Sequence, residues 1–228
     1  LFFGVAPATA IATDLWFAAL TKLVAARTHQ GTGKVDWVVV KRLWWGSLPM
    51  ALMVVVLTTL GAKLQKVDWL SHAIGIVVLV TAVGLLLAPT LQRVARTRRL
   101  GQPAEFKAMQ PALTVTAGAV VGLCVALTSV GAGALGSVML LYLYPLRMTP
   151  HTLVPTDIVH AIPVAVIAGL AYLFAGIVDG RMLVSLLTGS IPSVHLGSLV
   201  AKRTSPRWLQ LSLGVVLVFV AMKTLTFI

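Results

Sequence analysis

Two carboxylates stand in stretches otherwise suited to a membrane interior: Asp14 in IATDLWFAALTKLV and Asp157 in VPTDIVHAIPVAVI. An ionised aspartate near a bilayer centre costs at least ~2.5–3.5 kcal/mol, so it points to a proton or cation site, or to the counter-ion of a buried base. Each follows a threonine, Thr13 or Thr156, and each lies seven residues after a proline. That spacing also allows a structural reading, because Thr-Asp near a helix start is good N-cap chemistry. Lys22 comes eight residues after Asp14, close to the same helical face. It serves either as a substrate-binding cation or as a side chain that snorkels to the surface beside Arg27. His160 stands one turn after Asp157, where the two can share a proton or where a histidine can simply pack.

A second group of candidates lies in TSVGAGALGS. Gly131, Gly133 and Gly136 permit backbone turns closed to other residues, and Thr128, Ser129 and Ser137 supply hydroxyls. A helix broken here would present free N–H groups at the start of its second half, where the dipole favours an anion. The alternative is a packing seam, since small residues let membrane helices approach closely. GSLP and GSIP place Ser47 and Ser190 beside helix-kinking Pro49 and Pro192. Trp37, Trp44, Trp45, Trp69 and Trp208 fall near span ends and fit an interfacial aromatic belt.

The elements that must position these groups are membrane helices. Hydrophobic residues make up 58% of the 228-residue chain, only 11% are charged, and the mean hydropathy is +0.97. A soluble domain carries about 25% charged residues, so too few are present here to cover a water-facing surface. The net charge of +12 resides largely in short loops between apolar runs, where the positive-inside rule places it, and implies no nucleic-acid partner. The single cysteine, Cys124, excludes an internal disulfide and reads as a small core residue. No cluster has metal-ligand spacing, no Walker loop is present, and no nucleophile–base pair is evident, so neither an enzyme nor a cofactor or metal is expected.

Hydropathy gives six spans, at about 8–28, 37–61, 70–91, 152–174, 182–201 and 208–227, and a seventh apolar region, 109–145, broken by the glycine-rich stretch. A shift of 143 residues superposes Pro7 on Pro150, Thr13-Asp14 on Thr156-Asp157, Gly33 on Gly176, Asp36 on Asp179 and GSLP on GSIP. Thirteen of the 43 positions from 7 to 49 are identical, and coincidences at Pro, Asp and Gly are not what random apolar helices produce. The expected organisation is a first repeat over 1–91, a basic cytoplasmic linker over 92–108 and a second repeat over 109–228. Residues 109–145 have no counterpart in the first half, which leads to the expectation of a further N-terminal segment of about 30–40 residues. If 109–145 enters and leaves on one side, thirteen basic residues collect on the cytoplasmic side against four outside, whereas a single crossing gives eleven against six. The larger bias favours inverted repeats with a re-entrant, broken helix, an arrangement common among secondary transporters. The fold class is therefore all-α, a polytopic helical membrane protein.

The stretch PATAIATDLWFAALTKLVAARTHQGTGKVDWVVVKRLWWGSLP resembles the first repeat of the TauE/SafE family of sulfite and organosulfonate exporters, and SVGAGALGSVML with PTDIVHAIP is similar to its second repeat. The resemblance covers nearly the whole chain, but the family's first helix and its own glycine-rich break are not matched. It implies a multi-pass protein of the bacterial inner membrane that moves small sulfur oxyanions or sulfonates without ATP. On that reading Thr128, Ser129, Gly131, Gly133, Ser137, Thr13, Thr156 and Lys22 bind substrate, and Asp14, Asp157 and His160 couple an ion or proton. The implied partners are the anion and the lipid bilayer; oligomerisation is compatible with it. Rival readings are a cation or metal-ion transporter using the paired aspartates, a membrane-embedded enzyme, and a non-transporting scaffold subunit.

Overall fold

The computed structural model describes residues 5–28, 35–59, 68–101, 103–130, 133–203 and 206–226, and the regular elements among them are all α-helices. In chain order these are α1 (Pro7–Thr28), α2 (Trp37–Thr59), α3 (Asp68–Gly101), α4 (Pro103–Thr128), α5 (Ala134–Leu143), α6 (Pro150–Phe174), α7 (Gly180–Arg203) and α8 (Pro206–Thr226). Among the described residues, four helices contain apolar stretches long enough to cross a membrane: Ala8–Ala26, Trp37–Leu57, Phe106–Thr128 and Thr152–Phe174. The apolar part of α3 adds a bent span, Gly75–Gly84 and Leu86–Ala95, with 43° between its arms. The chain is a polytopic helical membrane protein.

The basic stretch 92–108 is helical apart from Gln102, which lies outside the described residues. Its Arg, Leu, Ala, Gln and Glu residues are good helix formers, so α3 continues past the apolar span rather than ending with it.

Helix α1 packs on α6, α2 packs between α4 and α6, and α3 packs on α8 and α5. The α1 face of Ala8, Ile11, Ala12, Leu15 and Ala19 repeats every three or four residues and meets Val121 and Val125 of α4 and Ala161, Val164 and Ala168 of α6. A second cluster joins Val39 and Leu43 of α2 to Ala117 of α4 and to Leu140, Leu143 and Tyr144 around the end of α5.

Glycines set the closest approach. A Cβ on Gly46 would strike the backbone of Val115 and Ala119, and Cβ atoms on Gly118 and Gly122 would strike the backbones of Leu43 and Ser47. Small residues on both helices thus let α2 and α4 touch backbone to backbone, which in lipid replaces the missing hydrophobic drive with dense van der Waals contact.

Helices α4 and α5 form a hairpin around the break. The Gln110 side chain near the start of α4 donates to the Leu143 carbonyl at the end of α5 over 2.7 Å, and Thr114 Oγ1 lies 2.7 Å from the Tyr144 hydroxyl. Residue 143 therefore returns to the level of residue 110, so the chain enters and leaves this segment at one end. Ten residues of α5 rise only about 15 Å, half a hydrocarbon core.

Candidate functional site

Asp14 and Asp157 do not cap their helices. With α1 starting at Pro7 and α6 at Pro150, each aspartate sits two turns inside its helix, and α6 is capped instead by Thr149 in a reciprocal box with Thr152. The carboxylates that do cap are Asp36 and Asp179: Asp36 Oδ1 accepts from Val39 N at the start of α2, and Asp179 Oδ1 accepts from Met182 N at the start of α7. Sequence reasoning had matched this pair across the duplication without giving it a role.

The two capped turns are tied to the site by crossed hydrogen bonds. The Asp36 backbone N–H donates to Thr156 Oγ1 over 3.0 Å, and the Asp179 backbone N–H donates to Thr13 Oγ1 over 3.1 Å. Both threonines are fully buried, so each hydroxyl satisfies a donor that would otherwise be stranded in an apolar interior. Thr156 in turn donates to the Thr152 carbonyl. Because residue 13 meets residue 179 while residue 156 meets residue 36, α1 and α6 run antiparallel. Trp16 agrees, its indole N–H donating to the Gly169 carbonyl over 2.9 Å.

Asp14 is held by the helix break. Ser129 Oγ donates to Asp14 Oδ2 over 2.8 Å across 115 residues of sequence. Ser129 follows directly on α4 with φ of +59°, the left-handed region usually left to glycine. That is a correction to the expected division of labour: Gly133 has φ of −100° and serves as N-cap of α5, so the unusual backbone falls on the serine that holds the carboxylate. Gly131 lies outside the described residues. No side chain caps α5, which leaves its first-turn N–H groups unclaimed by one. Thr128 bonds back to the Cys124 carbonyl and accepts from Val130 N, closing the turn locally. Ser137 lies one turn into α5, where its own N–H is used by the helix through the Gly133 carbonyl.

Asp157 is 6% exposed, and its Oδ1 has no hydrogen-bond partner among the described residues. Lys22, half-buried on α1 two turns beyond Asp14, is within electrostatic reach of both Asp14 and Asp157. It forms no ion pair with either within 4.0 Å. The two aspartates are not joined directly; Lys22 is the charge that both feel.

His160, buried to 1%, turns away from the expected partner. Its Nε2 lies 3.0 Å from Ser47 Oγ on α2, and its backbone carbonyl accepts from the Trp44 indole N–H over 3.1 Å. Trp44 is therefore an inter-helix tie, whereas Trp37 and Trp45 remain exposed as a lipid-interface belt requires. The side chains of Trp69 and Trp208 lie outside the described residues.

Arg147, in the turn between α5 and α6, grips Asp36 with two nitrogens, Nε to Oδ2 at 2.5 Å and Nη2 to Oδ1 at 2.9 Å. Among the described residues, no group of three His, Cys, Asp or Glu could hold a metal ion.

The comparisons with known proteins point one way. The family described as "Sulfite exporter TauE/SafE" matches residues 1–224. A protein of Bacillus subtilis (strain 168) named "Probable membrane transporter protein YjnA" is 33% identical over 223 residues, which is 96% of this chain and 86% of the relative. No solved structure matches.

Proposed function

The chain belongs to the TauE/SafE sulfite exporter family, a family of membrane transporters rather than enzymes, and on that premise we propose that it carries a small sulfur oxyanion or sulfonate across the bacterial inner membrane. The observation that carries this reading is that Asp14, Lys22 and Asp157 all stand within membrane-length apolar helices, the first two half-buried and the third buried, with Ser129 of the helix break bonded to Asp14.

The arrangement suits an anion coupled to protons. Fully ionised, the three groups hold one more negative charge than positive, and an incoming anion is repelled. Proton uptake by one carboxyl balances Lys22, and uptake by both leaves a net positive site. Anion and proton binding then reinforce each other through Coulomb energy in a low-dielectric interior. The N-terminus of α5, which no side chain caps, adds N–H donors four to five residues beyond Ser129 in the chain.

Alternating access follows from treating the two halves as inverted repeats. The antiparallel run of α1 and α6, the crossed Thr–Asp bonds and the one-sided α4–α5 hairpin all support that symmetry. Asp14 follows Thr13, which is tied to the Asp179 turn, and Asp157 follows Thr156, which is tied to the Asp36 turn. One carboxylate thus lies toward each end of the α1–α6 pair. Rocking the repeats exposes the site to one end and then the other.

A cation carrier fits less well, because Lys22 adds an ammonium within electrostatic reach of both carboxylates. Purified protein in proteoliposomes tests the reading. It predicts flux of sulfite or methanesulfonate that a proton gradient drives, and no flux of divalent cations. Divalent-cation flux without anion flux would replace it.

A further inference from the structure

We infer that the neck of the α4–α5 hairpin, where it meets α2, binds the phosphate of an anionic phospholipid, with Arg42 as the principal ligand. The inference is independent of what the protein transports. Arg42 is half-buried on α2, and its Nη1 donates to the Tyr144 hydroxyl over 3.2 Å. Tyr144 and Thr114 are both buried, and Thr114 Oγ1 donates to the Gln110 carbonyl over 2.7 Å. With the threonine proton so used, the phenol donates to Thr114 and its oxygen accepts from Arg42. The guanidinium is therefore aimed by a fixed chain of neutral groups, none of which balances its charge.

Among the described residues, no carboxylate oxygen lies within 4.0 Å of Arg42, of Lys41 or of Lys107. Asp36, which caps the same helix as Arg42, is engaged by Arg147. Lys107 stands three residues before Gln110 and seven before Thr114, on the face of α4 that the neck uses. A half-buried charge without a counter-ion is costly. The guanidinium N–H groups not given to Tyr144 form a planar fork that matches phosphate oxygens.

The surroundings select a lipid over a soluble anion. Val38, Lys41 and Trp45 follow one another at three and four residues along α2, and all are exposed, Trp45 to 76%. Arg42 lies four residues from Val38 and three from Trp45, so the cations border exposed apolar surface. That juxtaposition fits a ligand whose phosphate is joined to acyl chains, and an exposed tryptophan belongs at the headgroup level. The charge bias sets this end of α2 at the cytoplasmic leaflet, whose anionic lipids basic pockets between helices hold by their headgroups. The neck is also remote from the helix break: fourteen residues of α4 separate Thr114 from Thr128, a rise of about 21 Å.

Native mass spectrometry of the 228-residue protein in mild detergent, titrated with dioleoylphosphatidylglycerol or dioleoylphosphatidylcholine, tests the site. One phosphatidylglycerol should be held roughly tenfold more tightly than phosphatidylcholine, or about 1.4 kcal/mol, and Arg42→Gln should remove that preference. Lys41→Gln changes an exposed side chain and leaves the fold intact; it should weaken phosphatidylglycerol binding roughly fivefold. Glycerol 3-phosphate, which offers the phosphate without acyl chains, and methanesulfonate should not displace the lipid. Equal retention of the two lipids, undiminished phosphatidylglycerol binding in either variant, or displacement by glycerol 3-phosphate or methanesulfonate would each overturn the inference.

Discussion

Thr13 and Thr156 exchange partners across the molecule: each hydroxyl accepts the backbone N–H of an aspartate that caps a helix of the other half. The residue preceding each membrane carboxylate is therefore fixed to the opposite repeat, and any motion of one half against the other is felt beside Asp14 and Asp157.

Removing those hydroxyls isolates this link. Thr13→Val and Thr156→Val keep the shape and leave a buried N–H unmet, at about 1–3 kcal/mol each. The two sites share no partner, so the double variant should be additive within about 0.5 kcal/mol. Thr→Ser at either position should recover most of the loss. Thermal unfolding in detergent reads all five variants.

The Asp36–Arg147 pair separates capping from ion pairing. Arg147 is half exposed, and such pairs contribute about 0–1 kcal/mol. Asp36 caps α2 as well, which adds about 0.5–2 kcal/mol. Asp36→Ala should thus destabilise more than Arg147→Ala. Asp36→Asn should restore the cap but not the pair, and so match Arg147→Ala on the same unfolding assay.

The α2–α4 interlock should tolerate no side chain at Gly46. Gly46→Leu forces two backbones apart, and overpacking typically costs about 1–3 kcal/mol even where neighbours can yield. Fluorescence-detected size exclusion should show loss of the monodisperse protein, while Gly189→Leu, its equivalent on α7, elutes as wild type.

Much of this architecture could be read from the sequence. The spans of α1, α2 and α6, the break after Thr128 and the duplication all follow from apolar runs and from Pro, Asp and Gly recurring in register. The course of residues 92–108 could not be read, because polar composition reports contact with water and not the absence of helix. The site was legible only as a set of residue types. Asp14 with Ser129, and Thr156 with Asp36, are joined across more than a hundred residues, and no local pattern encodes which hydroxyl reaches which carboxylate. His160 shows the limit: spacing offered Asp157 one turn away, and packing delivered Ser47 from another helix.

Charge counting at Asp14, Lys22 and Asp157 fixes the sign of a pH effect. Methanesulfonate stays anionic throughout the neutral range, so any change in its binding reports the protein. Its thermal stabilisation of the protein should rise as pH falls and protons neutralise the carboxylates, and the slope should flatten in Asp14→Asn with Asp157→Asn.

The most direct measurement is anion flux through Asp157→Asn in proteoliposomes under an imposed proton gradient. Asparagine keeps the shape, and the Asp157 Oδ1 it alters holds no partner among the described residues, so folding should survive. Proton-driven flux should fall to the level of empty liposomes while the melting temperature stays at the wild-type value. Wild-type flux from this variant, still driven by the proton gradient, would contradict the coupling role of the paired carboxylates.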